Sequence, residues 1–233
     1  MPPGAGARTV TSIYQLALGS DFERLHPRIQ QRFGFSSTDR IASIGEGVME
    51  EVWRGRLYTL PFLYVGSWRR IMFPDHGTDI PFRVENYAYV DGFGRETVTW
   101  IRTFKIRTGS RRFDAYMVFS PERRKIVDYL GTHEHLAVDI DLSVDERGGL
   151  RLRSGEQRFY EGRLGFRFPM AFSGIADVCE WYDDREDRFR IEVSVTNRRW
   201  GRLFGYRGWF HERRLLEAAV PNGIKPVREE RRE

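Results

Sequence analysis

The sequence predicts a mainly β (α+β) domain of antiparallel strands with helices near its N-terminus. Three observations predict it. Apolar residues fall at helical spacing before about residue 34, and from Pro81 onward they recur at every second position. The strand-like runs are separated by short turn sequences, with no strand–helix–strand alternation of the kind a parallel sheet needs.

The elements follow in order. Residues 1–10, with Pro2, Pro3, Gly4 and Gly6, show no periodicity and are expected to form a flexible tail. Ile13, Leu16 and Ala17, then Phe22, Leu25, Ile29 and Phe33, have helical spacing; Asp21 is placed to cap the second segment and Gly34 to end it. A third segment, about Leu57 to Met72, contains Leu60, Leu63, Tyr64 and Trp68. It reads as a helix with Pro61 in its first turn or as an aromatic-rich loop. Leu136, Val138, Ile140, Leu142 and Val144 alternate with polar or small residues, and Asp145–Gly149 supplies a turn before Leu150 and Leu152, which predicts a hairpin. A second hairpin joins Ile175–Tyr182 to Phe189, Ile191, Val193 and Val195 through the polar turn Asp183–Asp187. Further strands are expected near 41–53, 80–90, 96–106, 112–119, 125–131 and 203–212. The charged end, 219–233, reads as a second flexible tail, which leaves 11–218 as one β-rich domain.

About ten consecutive antiparallel strands leave long unpaired edges unless the sheet closes. The expected architecture is therefore a barrel like that of lipocalins or fatty-acid-binding proteins, with a helical segment after the first strand able to plug one end. A curved sheet wrapped around a helix is the alternative.

Composition narrows the function classes. With 40% hydrophobic and 14% aromatic residues, the chain can bury a sizeable core or line a cavity. It shows neither a signal-peptide pattern nor a long apolar run, so a cytoplasmic protein without membrane insertion is expected. The single cysteine, Cys179, excludes an internal disulfide or a Cys-based zinc cluster and is expected to pack in the core. The net charge of +5 and pI near 9.5 raise the question of nucleic acid. Basic residues are interleaved with acidic ones, as in Asp183–Arg188 and Arg228–Glu233, so nucleic-acid binding is not expected.

Several stretches resemble one bacterial family: Ser12–Gly19 (SIYQLALG), Asp21–Gly34 (DFERLHPRIQQRFG), Ile71–Asp75 (IMFPD), Glu85–Phe104 (ENYAYVDGFGRETVTWIRTF), Ile126–Leu142 (IVDYLGTHEHLAVDIDL), Ser154–Pro169 (SGEQRFYEGRLGFRFP) and Phe172–Asp184 (FSGIADVCEWYDD). The family is catalogued as domain of unknown function 4166. The resemblance covers most of the chain and implies no particular reaction, so site residues must be argued from their chemistry.

His133-Glu134-His135 would put two imidazoles on one strand face, but the spacing singles out no third ligand, and neither metal nor cofactor is expected. Gly92-Phe93-Gly94 and Gly148-Gly149 lie between strands and read as turns; serine-hydrolase and P-loop motifs are absent. More informative are polar residues in phase with apolar strand faces. Glu156, Arg158 and Tyr160 continue the phase of Leu150 and Leu152; Asp177 shares that of Ile175, Cys179 and Trp181; and Asp128 shares that of Ile126 and Leu130. Buried charge must pair, bind a ligand or meet water, unless a twist or bulge turns the residue outward. Tyr87, Tyr89, Trp100 and Trp181 could line a pocket or simply pack a core. The leading expectation is an internal cavity binding a small hydrophobic or amphipathic molecule. The alternatives are an enzyme of the cyclase, isomerase or hydrolase kind, using His133, His135, Asp128 or Glu180 as acid or base, and a non-catalytic interaction module.

Overall fold

A computed structural model describes residues 10–56, 63–64, 70–168 and 173–233. The expected tail at 1–10, apart from Val10, and most of the segment at 57–72 lie outside the described residues.

Helix α1 (Ile13–Leu18) starts at a capping box: the Ser12 hydroxyl accepts from the Gln15 amide at 3.2 Å, and the Gln15 side chain accepts from the Ser12 amide at 3.1 Å. The second helical segment is not continuous. A 3-10 turn over Gly19–Arg24 holds Asp21, and helix α2 (Pro27–Phe33) starts only after it, capped by His26 instead of Asp21. Pro27 explains the break, because its ring cannot follow a preceding helical turn but suits the first position of a new one. Gly34 ends α2 where a Cβ would lie 2.6 Å from the Gln30 carbonyl oxygen.

The sheet comprises β1 (Ala42–Arg54), β2 (Gly77–Val90), β3 (Glu96–Ile106), β4 (Gly109–Ser120), β5 (Lys125–Leu130), β6 (Leu136–Val144), β7 (Leu150–Glu161), β8 (Leu164–Arg167), β9 (Ile175–Asp183), β10 (Arg188–Asn197) and β11 (Gly201–Leu215). All pairings are antiparallel. Strands β1 to β6 pair in sequence, β1 also pairs β11, and the chain returns through β10 and β9 to β7, which pairs β6. Ten strands thus close a barrel, and the short β8 adds to the far end of β7 alone. Closure satisfies the edges that an open sheet would leave.

Inside, the row Ser43, Gly45, Gly47, Met49 of β1 is kept small. A Cβ on Gly45 would meet the Phe210 ring at 2.5 Å and Val84 at 2.6 Å. Phe73, Phe82, Phe104, Phe204 and Tyr206 pack ring against ring, with neighbouring centroids as close as 4.9 Å. The helices contribute Ile13, Tyr14, Phe22, Leu25, Ile29 and Phe33 to the same core. Tyr14 meets Phe33 at 4.8 Å between centroids, and Phe33 stacks on Trp100 at 6.0 Å. Arg32 of α2 is fully buried and ties the helices to the wall: it pairs with Glu180, lies 3.6 Å from Glu212, and donates to Ser43 and, at 2.9 Å, to Asn86.

The outside of one wall carries a second apolar cluster, formed by Ala42, Ile44, Tyr87, Ile101, Tyr116, Val118, Val127, Tyr129, Ala137 and Tyr160. Strands β3, β4 and β5 are consequently buried on both faces. The C-terminal segment, expected to be a flexible tail, lies across this cluster. Ile224 is buried in it; the Val227 amide donates to the Thr132 carbonyl at 2.8 Å, Arg95 donates to the Glu230 carbonyl at 2.8 Å, and the Tyr129 hydroxyl donates to the Arg232 carbonyl at 2.9 Å. No helix among the described residues is long and apolar enough to cross a membrane.

Breaking the Arg32 network should cost far more than breaking a surface pair. Arg32→Met leaves two buried carboxylates without their cation and should lower stability by about 3–5 kcal/mol. Arg40→Ala, which removes an exposed pair with Glu217, should cost about 1 kcal/mol or less. Urea midpoints measure both, and equal losses would show that Arg32 does not anchor the helices.

Candidate functional site

A cavity of about 110 Å³ lies between the inner faces of β3–β7, β9 and β10, with Ile71 and Met72 from the β1–β2 connection at its margin. Its wall is mostly apolar, including Met117, Val138, Ile140, Leu152, Val178 and Val193, and Trp100 adds an aromatic face. Four polar side chains also line it: Arg102 of β3, Asp128 of β5, and Ser154 and Gln157 of β7. Two of these are satisfied by neighbouring backbone. Ser154 accepts from the Ala176 amide at 2.7 Å, and Gln157 donates to the Gly174 carbonyl at 2.7 Å while accepting from Ser173.

Arg102 and Asp128 are less well satisfied. The Arg102 guanidinium is buried, sits 3.7 Å from the Phe113 ring centroid and 5.4 Å from that of Trp100, and donates to the Tyr206 hydroxyl at 3.3 Å. Among the described residues its Nε has no hydrogen-bond partner, nor has Oδ1 of Asp128. Burial pushes the Asp128 carboxyl up to about 7, against the opposing pull of Arg102 and of a hydrogen bond from the backbone of Tyr116. Near neutral pH this carboxyl is therefore present in both forms, able to accept a proton or to donate one.

Of the residues singled out in the sequence, Trp100 and Asp128 reach the cavity. Glu180 also faces inward but is held by Arg32 beneath the helices. Glu156, Arg158 and Tyr160 do not line it, and a bulge is the reason. Val138 stands opposite Gln157 and Ile140 opposite Ser154, so Gly155 and Glu156 together face the single Asp139. The extra residue reverses the phase of β7, sending Gln157 inward and Glu156, Arg158 and Tyr160 outward. Arg158 is buried there against Asp139 and, at 3.0 Å, Glu156, whereas Tyr160 joins the outer cluster.

Asp177 does share a face with Ile175, Cys179 and Trp181, but that face is outside. It pairs with Arg151 in an outer groove, and Trp181 lies under Arg147, 3.9 Å from guanidinium carbon to ring centroid. Cys179 is half-buried in the same groove instead of the core; burial and Asp145 push its thiol up to about 12. Tyr87 packs in the outer cluster, and Tyr89 lies beneath Lys225 of the C-terminal segment.

His133 and His135 lie in the turn before β6, their rings stacked 5.4 Å apart. His135 is 3.0 Å from the Tyr160 carbonyl and 3.0 Å from Glu161. Among the described residues no three His, Cys, Asp or Glu side chains are grouped as a metal would need. Arg102 and Gln157 were not anticipated. Arg102 had a signal, because Val98, Trp100, Arg102 and Phe104 share one phase; Gln157 had none without knowledge of the bulge.

Fold and cavity together define a closed antiparallel barrel with a mostly apolar interior. The chain belongs to the family described as Domain of unknown function (DUF4166), whose model matches residues 25–210. It is similar to Uncharacterized protein YndH of Bacillus subtilis (strain 168), with 30% identity over 203 residues, 87% of this chain and 98% of the relative.

Asp128 gives a pH test. Its carboxyl is raised in the folded state, so the folded protein holds this proton where the unfolded chain has lost it, and the stability gained from it disappears as pH rises through about 7. Asp128→Asn removes that loss. Relative to the original protein, the variant should gain roughly 2–4 kcal/mol between about pH 5 and pH 8, read from denaturant midpoints. A difference that stays constant with pH would show that Asp128 is ionised throughout.

Proposed function

We propose that the barrel binds a small hydrophobic or amphipathic molecule in its interior, with the apolar part against Val138, Ile140, Leu152, Val178 and Val193 and the polar end at Arg102 and Asp128. The observation that carries this reading is the placement of two incompletely satisfied charged side chains on a mostly apolar cavity wall. An unpaired charge in such surroundings is costly, and a ligand's polar group would offset the cost.

A catalytic reading of the same cavity rests on Asp128 alone. Its position beside an apolar space suits proton transfer to a hydrophobic metabolite. His133, His135 and Glu180, the other acid–base candidates, do not line this cavity.

Native mass spectrometry of the purified protein, followed by calorimetric titration with butanol, tests the binding reading. Val178→Phe should fill the cavity and weaken binding roughly tenfold or more, about 1.4 kcal/mol. Glu156→Gln and Trp181→Ala, both outside it, should leave the affinity unchanged. Binding that is insensitive to Val178→Phe, or that depends on Glu156, would put the site elsewhere. A catalytic role would show as turnover of the recovered molecule that Asp128→Asn slows without weakening its binding.

A further inference from the structure

Three arginines are buried among the described residues: Arg32, Arg102 and Arg158. Arg32 is matched by Glu180 and Glu212, and Arg158 by Asp139 and Glu156. Among the described residues Arg102 has no carboxylate within 4 Å; a phenol and two ring faces are its close neighbours, and Asp128 acts on it only from beyond that distance. Guanidinium stays charged at any working pH, so it cannot relieve its burial by losing a proton. The missing partner is an anion, and the cavity is where it would sit.

We propose that the interior ligand is a short monocarboxylic acid, whose carboxylate pairs with Arg102 and hydrogen-bonds with Asp128. This deepens the interior-binding reading and rests on it. The planar fork of guanidinium N–H groups matches two carboxylate oxygens. A neutral alcohol would leave the Arg102 charge uncompensated, and an amine would place a second cation beside it. Size limits the apolar part. A dry cavity of roughly 150 Å³ takes up benzene, so about 110 Å³ suits something smaller than a ring, an acid of about three or four carbons.

Asp128 makes the binding pH-dependent. Among the described residues, the groups that face it are Arg102 from β3 and the Tyr14 phenol from α1; β4 supplies the backbone of Tyr116, and β6 the apolar Val138 opposite it. While Asp128 is protonated it donates to the bound carboxylate. Once it ionises, two negative groups meet across the cavity, so affinity falls as pH rises through the titration of Asp128.

Calorimetric titration of the unmodified protein with propionate and butyrate, set against propanol and butanol, tests the proposal. At about pH 6.5 these acids are ionised, as a glutamate is. They should bind at least tenfold tighter than the matching alcohols, and the preference should shrink at about pH 8.5. Asp128→Asn should flatten the pH dependence, and Arg102→Met should lose the preference for acids while still binding butanol. If Arg102→Met does not fold, the series on the unmodified protein decides alone. Alcohols binding as tightly as acids would overturn the carboxylate proposal and leave interior binding standing. No binding by either series would overturn both.

Discussion

The fold depends on the pairing of β6 with β7. The first half of β7 bonds to β6 on one side and to β9 on the other, and the β6 pairing turns an eleven-stranded sheet into a barrel with an inside. Without it, β6 and β7 would each present unpaired backbone, and the inward-facing row of each strand would lose its opposite wall. β7 bulges at Gly155–Glu156 and bends. Beyond the bulge its far half leaves β9 and takes β8 as its partner instead.

The same bulge marks the limit of what the sequence discloses. Alternation in Leu136–Val144 and Phe189–Val195, with the turn chemistry of Asp145–Gly149, was enough to place both hairpins, and the other expected strands correspond to observed ones. Alternation gives phase only while no residue is inserted. It therefore carried Leu150 and Leu152 inward correctly and Glu156 and Arg158 inward incorrectly. For Asp177 the phase was right, but which side faced in depended on pairings that no local pattern encodes. β8, four residues long and exposed, is too short to show a period. Tyr87 and Tyr160 looked like pocket residues because no local pattern shows that a charged C-terminal segment covers them.

Charge inside the barrel is distributed by role. Under the helices, Arg32 and its carboxylates form a matched set that fixes α2 against β1, β9 and β11. In the cavity, Arg102 and Asp128 are unequal neighbours: the arginine must remain charged, while the carboxyl is held where it is neutral for part of the physiological range. Burial that would be destabilising in a structural pair leaves, here, a donor-rich corner in an apolar space. The two sets lie in one continuous core, so the helices that complete the core also hold Phe33 against the Trp100 face of that corner.

The C-terminal segment gives the barrel a thick side and a thin side. Strands β3, β4 and β5 are covered within by the core and without by the second cluster, whereas β9 and β10 turn a half-wet, charged face outward. Amide hydrogens on the doubly covered strands can exchange with solvent only when both layers come away, while those of β9 and β10 need lift only one. Slowest exchange is therefore expected in β3, β4 and β5, under a segment that contributes no strand to the barrel.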